Sequence, residues 1–413
     1  MTEVPLPGVP GRARPAGSTP RSGPSRRRAA AGAAAGRPAG RAAGGRAAPA
    51  ERSPGRSPAR RPGTAEAPEL VDFFRQMSLI RTFELRASEM YQRARIGGYC
   101  HLNLGEEATV VGLVAALERR DYLFATYREH GYAIARGVPP GRVMAELFGK
   151  RDGVSGGWGG SMHIFDASVN LMGGYGIVGG QLPPATGAAL ALALRTPPGP
   201  DSPAVMCLMG DGTTNIGAFH ESLNLAGVWR LPIVYVIVNN GLGMGTTVEA
   251  ASAEPELYRR GAAYRIPGSR VDGDDVLAVR DSARAALERA RSERQPMLLE
   301  TVSERLRGHS VVDPARYRTP EEVEAARLAD PLPALRGRLL AAGLLDEATA
   351  EAIEAEVAAA VDDAVAFAEE SPDPDPGRLF TNVYATPVAN APRALPGDPL
   401  FAPGELDEPR RGV

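Results

Sequence analysis

Runs of apolar residues alternate with amphipathic segments through the middle of this chain, and their order predicts a parallel sheet covered by helices. The run at 204–209 (AVMCLM) is apolar at every position, which is typical of a parallel strand buried on both faces. Residues 215–228 then repeat apolar side chains at helical spacing, and the run at 233–238 (IVYVIV) is rich in β-branched residues. A strand, a helix and a strand of these lengths predict one βαβ unit.

The same alternation continues on both sides of this unit and predicts a doubly wound α/β domain over residues 66–330. An amphipathic helix is predicted from Pro68, where large apolar residues recur every three or four positions. Residues 331–372, rich in Ala, Leu and Glu, predict C-terminal helices, and residues 373–413, rich in Pro and Asp, predict an extended tail. The glycine-rich stretch 153–160 (GVSGGWGG) is predicted to be a loop outside the core.

The first 65 residues differ in composition from the rest of the chain. They carry 13 Arg against only Glu3 and Glu51, a net charge of +11, whereas the whole chain has a net charge of −2. Because bulky apolar residues are almost absent, the segment is predicted to be a disordered arm. Three interpretations stay open: a solvated tail, a basic arm that docks on an acidic partner such as the core of a multienzyme complex, and a mitochondrial transit peptide, whose helix the Pro and Gly residues would interrupt.

The cysteine content and the hydropathy pattern narrow the class of protein. Cys100 and Cys207 form neither a CxxC motif nor a disulfide framework, which favours a reducing compartment. The sequence has no apolar run of about 18 residues that would predict a membrane span, and its start lacks the apolar segment of a secretory signal. We therefore expect a cytoplasmic protein of a bacterium with a GC-rich genome, with no membrane and no nucleic acid as partner.

Polar side chains stand where the two strands of the βαβ unit end. A GDG motif at 210–212 follows the first strand, and after twenty-six further residues an NN pair at 239–240 follows the second. A right-handed crossover places both strand ends at one edge of the sheet, so Asp211 and Asn240 are expected side by side where open α/β sheets bind ligands. One carboxylate oxygen and one amide oxygen suit a magnesium ion that also holds phosphate groups.

This spacing of GDG and NN resembles the fingerprint of thiamine diphosphate enzymes, and further blocks extend the resemblance. They are, in the order of the family, residues 97–112 (GGYCHLNLGEEATVVG), 127–131 (YREHG), 159–163 (GGSMH), 174–180 (GYGIVGG) and 307–317 (RGHSVVDPARY). Together they resemble the α subunit of the heterotetrameric first component of 2-oxo acid dehydrogenase complexes, nearest to the pyruvate and acetoin dehydrogenase branches. The resemblance covers residues 70–380 and implies the thiamine diphosphate-binding fold.

The resemblance also implies how thiamine diphosphate and Mg²⁺ are bound. Asp211, Asn240 and the main-chain carbonyl of Leu242 would be the metal ligands, with phosphate oxygens and water completing the shell. Gly212 and Thr213 are expected to open the crossover helix and to direct their N–H groups at the diphosphate. The other matching cofactor-binding positions are Tyr127, Arg128, Gly176, Val178, Arg305 and His309.

Four of the five histidines lie within the matching blocks. His101 and His309 match active-site histidines of the family that engage the 2-oxo acid or the acceptor, so both are predicted to be catalytic. His130 and His163 keep a packing and a functional interpretation side by side. His220 lies in the crossover helix and is expected to bond locally.

Three further residue positions bear on regulation, on local structure and on the need for a second subunit. Ser310 corresponds to a regulatory phosphorylation position of mitochondrial relatives, but the shorter sequence at Ala315 and Arg316 argues against control by a kinase. Glu106 is interpreted as a helix-start residue. No acidic residue matches the glutamate that activates the aminopyrimidine ring, which the β subunit supplies in this family. The resemblance therefore implies an α2β2 heterotetramer.

The predicted activity is oxidative decarboxylation of pyruvate, followed by reductive acylation of a lipoyl group on a separate acyltransferase component. The motif at 101–103 (HLN) favours the pyruvate or acetoin branch, while acetoin cleavage and oxidation of branched-chain 2-oxo acids stay open as alternatives. A non-catalytic structural paralogue is a further alternative. The presence of Asp211, Asn240, Arg128 and His309 argues against it.

Overall fold

A five-stranded parallel sheet forms the centre of residues 67–380, the part of the chain that the computed structural model describes. Its strands are β1 (Tyr122–Phe124), β2 (Val205–Gly210), β3 (Ile233–Asn239), β6 (Gly268–Asp272) and β7 (Met297–Val302), in the spatial order β1-β2-β3-β7-β6. A small antiparallel pair joins β4 (Leu242–Gly243) to β5 (Thr246–Thr247). The two apolar runs of the sequence are thus strands β2 and β3, as predicted.

Helices precede the sheet, connect its strands and follow it. They are α1 (Ala67–Gln92), α2 (Glu107–Ala115), α3 (His130–Ala135), α4 (Pro140–Leu147), α5 (Leu182–Arg195), α6 (Gly217–Trp229), α7 (Val248–Ala251), α8 (Val276–Glu293), α9 (Pro320–Leu328), α10 (Pro331–Ala341) and α11 (Glu347–Glu370). Short 3₁₀ helices lie at Gly160–Met162, Ala167–Val169, Asp211–Asn215, Leu257–Tyr264 and Pro376–Phe380.

Successive side chains of the central strands enter two different apolar layers. Cys207 of β2 and Tyr235 of β3 pack with helices α5 and α6 on one face of the sheet. Met206 and Val234 pack on the other face with α1, α2 and α8. Because both faces are covered, the strands are apolar at nearly every position. The predicted doubly wound α/β fold is confirmed.

The C-terminal helices join the second of these layers. Helix α11 packs along α1 and α4, and its buried residues Ile353, Val357 and Val361 belong to the same apolar cluster as α1. The prediction of a disordered arm at 1–65 and most of the extended tail predicted at 373–413 fall outside the described residues. The described start of that tail contains the 3₁₀ helix Pro376–Phe380. No helix within residues 67–380 has the length and apolar character needed to cross a membrane.

The sheet brings distant parts of the chain to one edge. Gly210 at the end of β2 pairs with Val238 of β3, and Asn239 at the end of β3 pairs with Val302 at the end of β7. The residues that follow β1, β2, β3 and β7 therefore meet at the carboxyl edge, where open α/β sheets bind their ligands.

Candidate active site

A cavity of about 570 Å³ opens at this carboxyl edge. Its volume lies within the range of sites for small molecules and cofactors. The predicted residues among its lining are His101, Tyr127, Arg128, Gly176, Val178, Asp211, Gly212, Thr213, Asn240, Leu242, Arg305 and His309. The fold thus brings together every residue that the sequence nominated for the site, while their individual roles stay predictions.

Asp211 follows β2 directly and is almost fully buried. Burial raises the pKa of its carboxyl group to about 6 against the opposing charge of Arg305, and the nearby carboxylate of Glu106 adds to the rise. A cation beside Asp211 would favour its charged form, because an opposite charge compensates for the lost hydration.

The turn after Asp211 differs from the prediction. Gly212 and Thr213 belong to a separate 3₁₀ helix, Asp211–Asn215, and not to the first turn of α6 as expected. Extended backbone at Ile216 separates the two helices. At this break the Ile216 side chain packs against Gly179, where an added Cβ would lie 2.0 Å from its Cδ1 atom.

Two of the predicted metal ligands present oxygen atoms to the same nitrogen. Arg305 Nη1 donates to Asn240 Oδ1 at 3.4 Å and to the carbonyl oxygen of Leu242 at 3.3 Å. Within residues 67–380 no three His, Cys, Asp or Glu side chains are grouped as a metal site. A metal here would therefore depend on amide and carbonyl oxygens together with Asp211. Such a set of hard oxygen donors fits Mg²⁺.

Two buried guanidinium groups bring positive charge to the cavity. Arg128 Nη2 donates to the carbonyl oxygen of His309 at 3.0 Å, and Arg305 Nη2 donates to the Tyr317 hydroxyl at 2.9 Å. These two partners are neutral, although the Glu106 carboxylate also lies 3.7 Å from Arg128 Nε. Arginine in this setting suits an anionic ligand with several oxygens, such as a diphosphate.

His101 and His309 lie edge to face, with ring centroids 5.1 Å apart, and the Tyr127 ring lies 4.4 Å from His101. The Nδ1 atoms of both histidines are buried without a hydrogen-bond partner among the described residues. Burial, with the charge of Arg128 as the next cause, lowers the pKa of His101 to about 3 and that of His309 to about 4. Both rings are therefore neutral near pH 7.

A comparison of this sequence with known protein families shows the family to which these cavity residues belong. The family described as "Dehydrogenase E1 component" matches residues 75–377, which is most of the chain. This chain belongs to that family. The match confirms the family that the sequence blocks predicted, and membership of it implies thiamine diphosphate as the cofactor.

Individual relatives match this E1 chain over most of their own length. The "Pyruvate dehydrogenase E1 component subunit alpha" of Rhizobium meliloti is 43% identical over 311 residues, covering 75% of this chain and 88% of the relative. The protein of the same name from Zymomonas mobilis is 43% identical over 321 residues, covering 77% and 89%. The one from Rickettsia conorii is 40% identical over 317 residues, covering 76% and 96%.

His130 of this E1 chain lies outside the cavity and is fully buried. Its Nδ1 atom is 2.9 Å from Glu84 Oε2, and its Nε2 atom is 2.9 Å from Ser161 Oγ. Burial lowers the pKa of the ring, but the Glu84 and Glu129 carboxylates and the bond to the Ser161 backbone raise it, and the net shift is upward. These contacts favour the packing interpretation of His130.

The two remaining histidines contact neighbouring segments. His163 Nδ1 donates to the carbonyl oxygen of Gly174 at 3.1 Å, and its ring lies 3.2 Å from the position of a Cβ added to Gly176. It therefore packs against the loop that carries Gly176. His220 Nδ1 lies 2.6 Å from the Tyr264 hydroxyl, so its partner is 44 positions away and not local as expected.

Glu106 stands at the start of α2, as the sequence interpretation placed it, but that interpretation missed the contact of its side chain in the cavity. The side chain makes no capping hydrogen bond. It is 1% exposed, and its Oε1 atom accepts a hydrogen bond from Asn240 Nδ2 at 2.8 Å. The two residues are 134 positions apart, so no local pattern in the sequence signals the contact.

The loop 307–317 forms part of the cavity wall and contributes His309 and Ser310 to the lining. Asp313 Oδ2 accepts hydrogen bonds from the His309 backbone N–H at 2.7 Å and from the Tyr317 hydroxyl at 2.6 Å. Asp313 was not predicted as a site residue, although it lies within the matching block RGHSVVDPARY.

Proposed function

We propose that this chain is the α subunit of a pyruvate dehydrogenase E1 component, which decarboxylates pyruvate oxidatively and acylates a lipoyl group. The observation that carries the proposal is the meeting, in one cavity, of Asp211, the oxygens of Asn240 and Leu242, two guanidinium groups and two neutral imidazoles. The names of the relatives supply the substrate, because the three compared above are all pyruvate dehydrogenase α subunits.

The cofactor would be held by residues from four strand ends. Asp211, Asn240 and the Leu242 carbonyl would bind Mg²⁺, while Arg128 and Arg305 would bind the diphosphate oxygens. The remaining contacts would come from Tyr127, Gly176, Val178, Gly212 and Thr213. When bound, thiamine diphosphate supplies a nucleophilic carbon and an electron sink for decarboxylation.

His101 and His309 would act on the substrate and the acceptor. A neutral imidazole donates through one ring nitrogen and accepts through the other, so each ring can hold a carboxylate or carbonyl oxygen of the 2-oxo acid, or move a proton during acyl transfer. Their depressed pKa values keep this capacity at neutral pH.

A second chain would complete the site. Of the carboxylates that line the cavity, Glu106 binds Asn240, Asp313 binds the His309 N–H, and Asp211 is assigned to the metal. None of these three is left to activate the aminopyrimidine ring. We therefore assign that role to a glutamate of a β subunit in an α2β2 assembly, which would pass the acyl group to a lipoyl-bearing acyltransferase.

Reconstitution tests this proposal. Purified α subunit is expected to show no pyruvate decarboxylation with a dye acceptor, because half of the site is missing. Co-expression with the matching β subunit should restore turnover that depends on thiamine diphosphate and Mg²⁺, and the β subunit alone serves as the control. Full turnover by the α subunit alone would overturn the two-chain proposal.

The same assay separates the substrates. Pyruvate is expected to be turned over faster than branched-chain 2-oxo acids or acetoin. Faster turnover of branched-chain 2-oxo acids or of acetoin would leave the family assignment unchanged and would replace pyruvate as the proposed substrate. The cytoplasmic location and the role of residues 1–65 stay predictions.

A further inference from the structure

Glu106 is a buried carboxylate whose two oxygen atoms contact different parts of the candidate active site. Oε1 accepts from Asn240 Nδ2 at 2.8 Å. Oε2 accepts from Asn103 Nδ2 at 3.3 Å and lies 3.7 Å from Arg128 Nε. The side chain thus joins the segment before α2 to the residues that follow β1 and β3.

The contact with Asn240 determines which end of the amide faces the cavity. A carboxylate can only accept hydrogen bonds, so the NH2 end of the Asn240 amide must point at Glu106. The oxygen end then points the other way, towards the Leu242 backbone N–H at 3.4 Å and Arg305 Nη1 at 3.4 Å. If the amide were flipped, two oxygens would face each other beside Glu106, and the NH2 group would face Arg305.

We propose that Glu106 is a positioning residue of the magnesium site: it fixes the orientation of the Asn240 amide so that Oδ1, and not Nδ2, is presented to the metal. This inference rests on the proposed function, since it assumes that Asn240 binds Mg²⁺. Without Glu106 the buried NH2 group loses its acceptor, and the flipped amide, which would repel a cation, is no longer disfavoured.

Two other roles for Glu106 agree less well with these contacts. A helix cap would accept a backbone N–H of α2, and the Glu106 side chain accepts none. A proton-transfer group would need an oxygen directed at a substrate, and both of its oxygens are engaged by Asn240, Asn103 and Arg128. Because Glu106 bonds the Asn240 amide, it can act on the metal through Asn240.

The test uses the co-expressed αβ assembly after removal of cofactor, and calorimetry of thiamine diphosphate binding at increasing Mg²⁺. Glu106→Ala is expected to raise the Mg²⁺ concentration for half-maximal binding about tenfold, the scale of one buried hydrogen bond. Glu106→Gln can still accept from Asn240 Nδ2 through Oε1, but its NH2 group then faces the Asn103 Nδ2 donor, so a loss smaller than that of Glu106→Ala is expected. The electron paramagnetic resonance spectrum of bound Mn²⁺ gives a second readout that does not depend on turnover.

Glu107→Gln is the matched control, because Glu107 is also buried but bonds Arg81 of α1. It is expected to lower the melting temperature and leave the Mg²⁺ dependence unchanged. Equal Mg²⁺ dependence in Glu106→Ala and wild type would overturn the inference. So would an equal loss in Glu106→Gln and Glu106→Ala, since the charge or direct ligation would then be what matters. Metal-independent binding by wild type would instead overturn the proposed function.

A donor–acceptor exchange keeps the inference testable if Glu106→Ala does not assemble. Asn240→Asp places a second carboxylate against Glu106 and should weaken metal-dependent binding. Adding Glu106→Gln supplies an NH2 group to the new carboxylate and should restore most of the loss. A double variant no better than Asn240→Asp alone would contradict the positioning role.

Discussion

Individual residues of the cavity have charge states that differ from those of exposed side chains. Burial raises the pKa of Asp211 to about 6, whereas it lowers the pKa of His101 to about 3 and of His309 to about 4. Two guanidinium groups therefore face neutral imidazoles near pH 7. This distribution suits an anionic cofactor, because the cations are not repelled further by charged histidines.

Replacing Asp211 tests the proposed metal site at this scale. Asp211→Ala is expected to abolish Mg²⁺-dependent binding of thiamine diphosphate, measured by calorimetry on the αβ assembly. The fold should persist, because burial already disfavours the charged carboxylate and the residue lies beyond the end of β2. Asp201→Ala, at an exposed position before β2, is the control. Cofactor affinity unchanged from wild type would show that Asp211 is not a ligand.

Replacing His309 tests the proposed catalysis. His309→Ala is expected to lower turnover on the order of a hundredfold, the usual scale for one acid–base or oxyanion group. Thiamine diphosphate affinity should stay within a few-fold, because the Arg305 contacts do not use the imidazole ring. Dye-acceptor and lipoyl-domain assays would show which half-reaction slows. His220→Ala is the control, and rates near wild type in both assays would leave His309 a loop residue only.

At the scale of elements, buried carboxylates organise the loops between β1 and α5. The glycine-rich stretch 153–160 was predicted to lie outside the core, and it surrounds the fully buried carboxylate of Glu146. This carboxylate accepts backbone N–H groups of Ser155, Gly157, Gly159 and Gly160, at 2.7 to 3.2 Å. Such a cluster of amides around an anion gives the loop a defined shape without an apolar core of its own.

Glu129 plays a comparable part in the next loop and leads to a prediction about pH. Burial raises its pKa to about 8, with His130 opposing the shift and Glu84 adding to it. A raised acid pKa contributes stability that is fully present below the unfolded-state value and is lost as pH rises through about 8. Glu129→Gln keeps an acceptor for the Ile164 N–H and does not titrate.

The melting temperature of Glu129→Gln relative to wild type is therefore expected to rise as the pH increases from the ordinary glutamate pKa to the raised pKa of about 8 in the folded protein. Thermal unfolding of both proteins at several pH values measures the difference. If the melting temperatures of both proteins changed in parallel with pH over this interval, the pKa of Glu129 would not be raised.

At the scale of the whole molecule, one apolar layer unites helices from both ends of the described chain. Helix α1 precedes the sheet and α11 follows it, and both belong to the layer that covers the second face of the sheet. Residues 1–65 lie beyond this described region, and their composition predicts that they add nothing to the core.

Deleting residues 1–65 is accordingly expected to shift the melting temperature by no more than about one degree. If the arm docks on an acidic partner, the deletion should weaken association with the acyltransferase component at low salt, and the difference should shrink as salt screens the charges. Equal association with and without the arm at low salt would leave the solvated-tail interpretation.

The sequence by itself determined the sheet, the crossover unit and the residues at its strand ends. Continuous apolar runs specify strands buried on both faces, and handedness brings Asp211 and Asn240 to one edge, so these features follow from local patterns. The family blocks then nominated Arg128, Arg305 and His309. All of these residues line the cavity that the structure contains.

Only the tertiary structure decided where side chains from distant segments point and how they are charged. The bond from Asn240 to Glu106 spans 134 residues, and the Ile216 side chain packs against Gly179 in another loop. The neutral state of His101 results from burial and from the charge of Arg128. Local periodicity specifies backbone elements, but hydrogen-bond partners and desolvation exist only once those elements pack together.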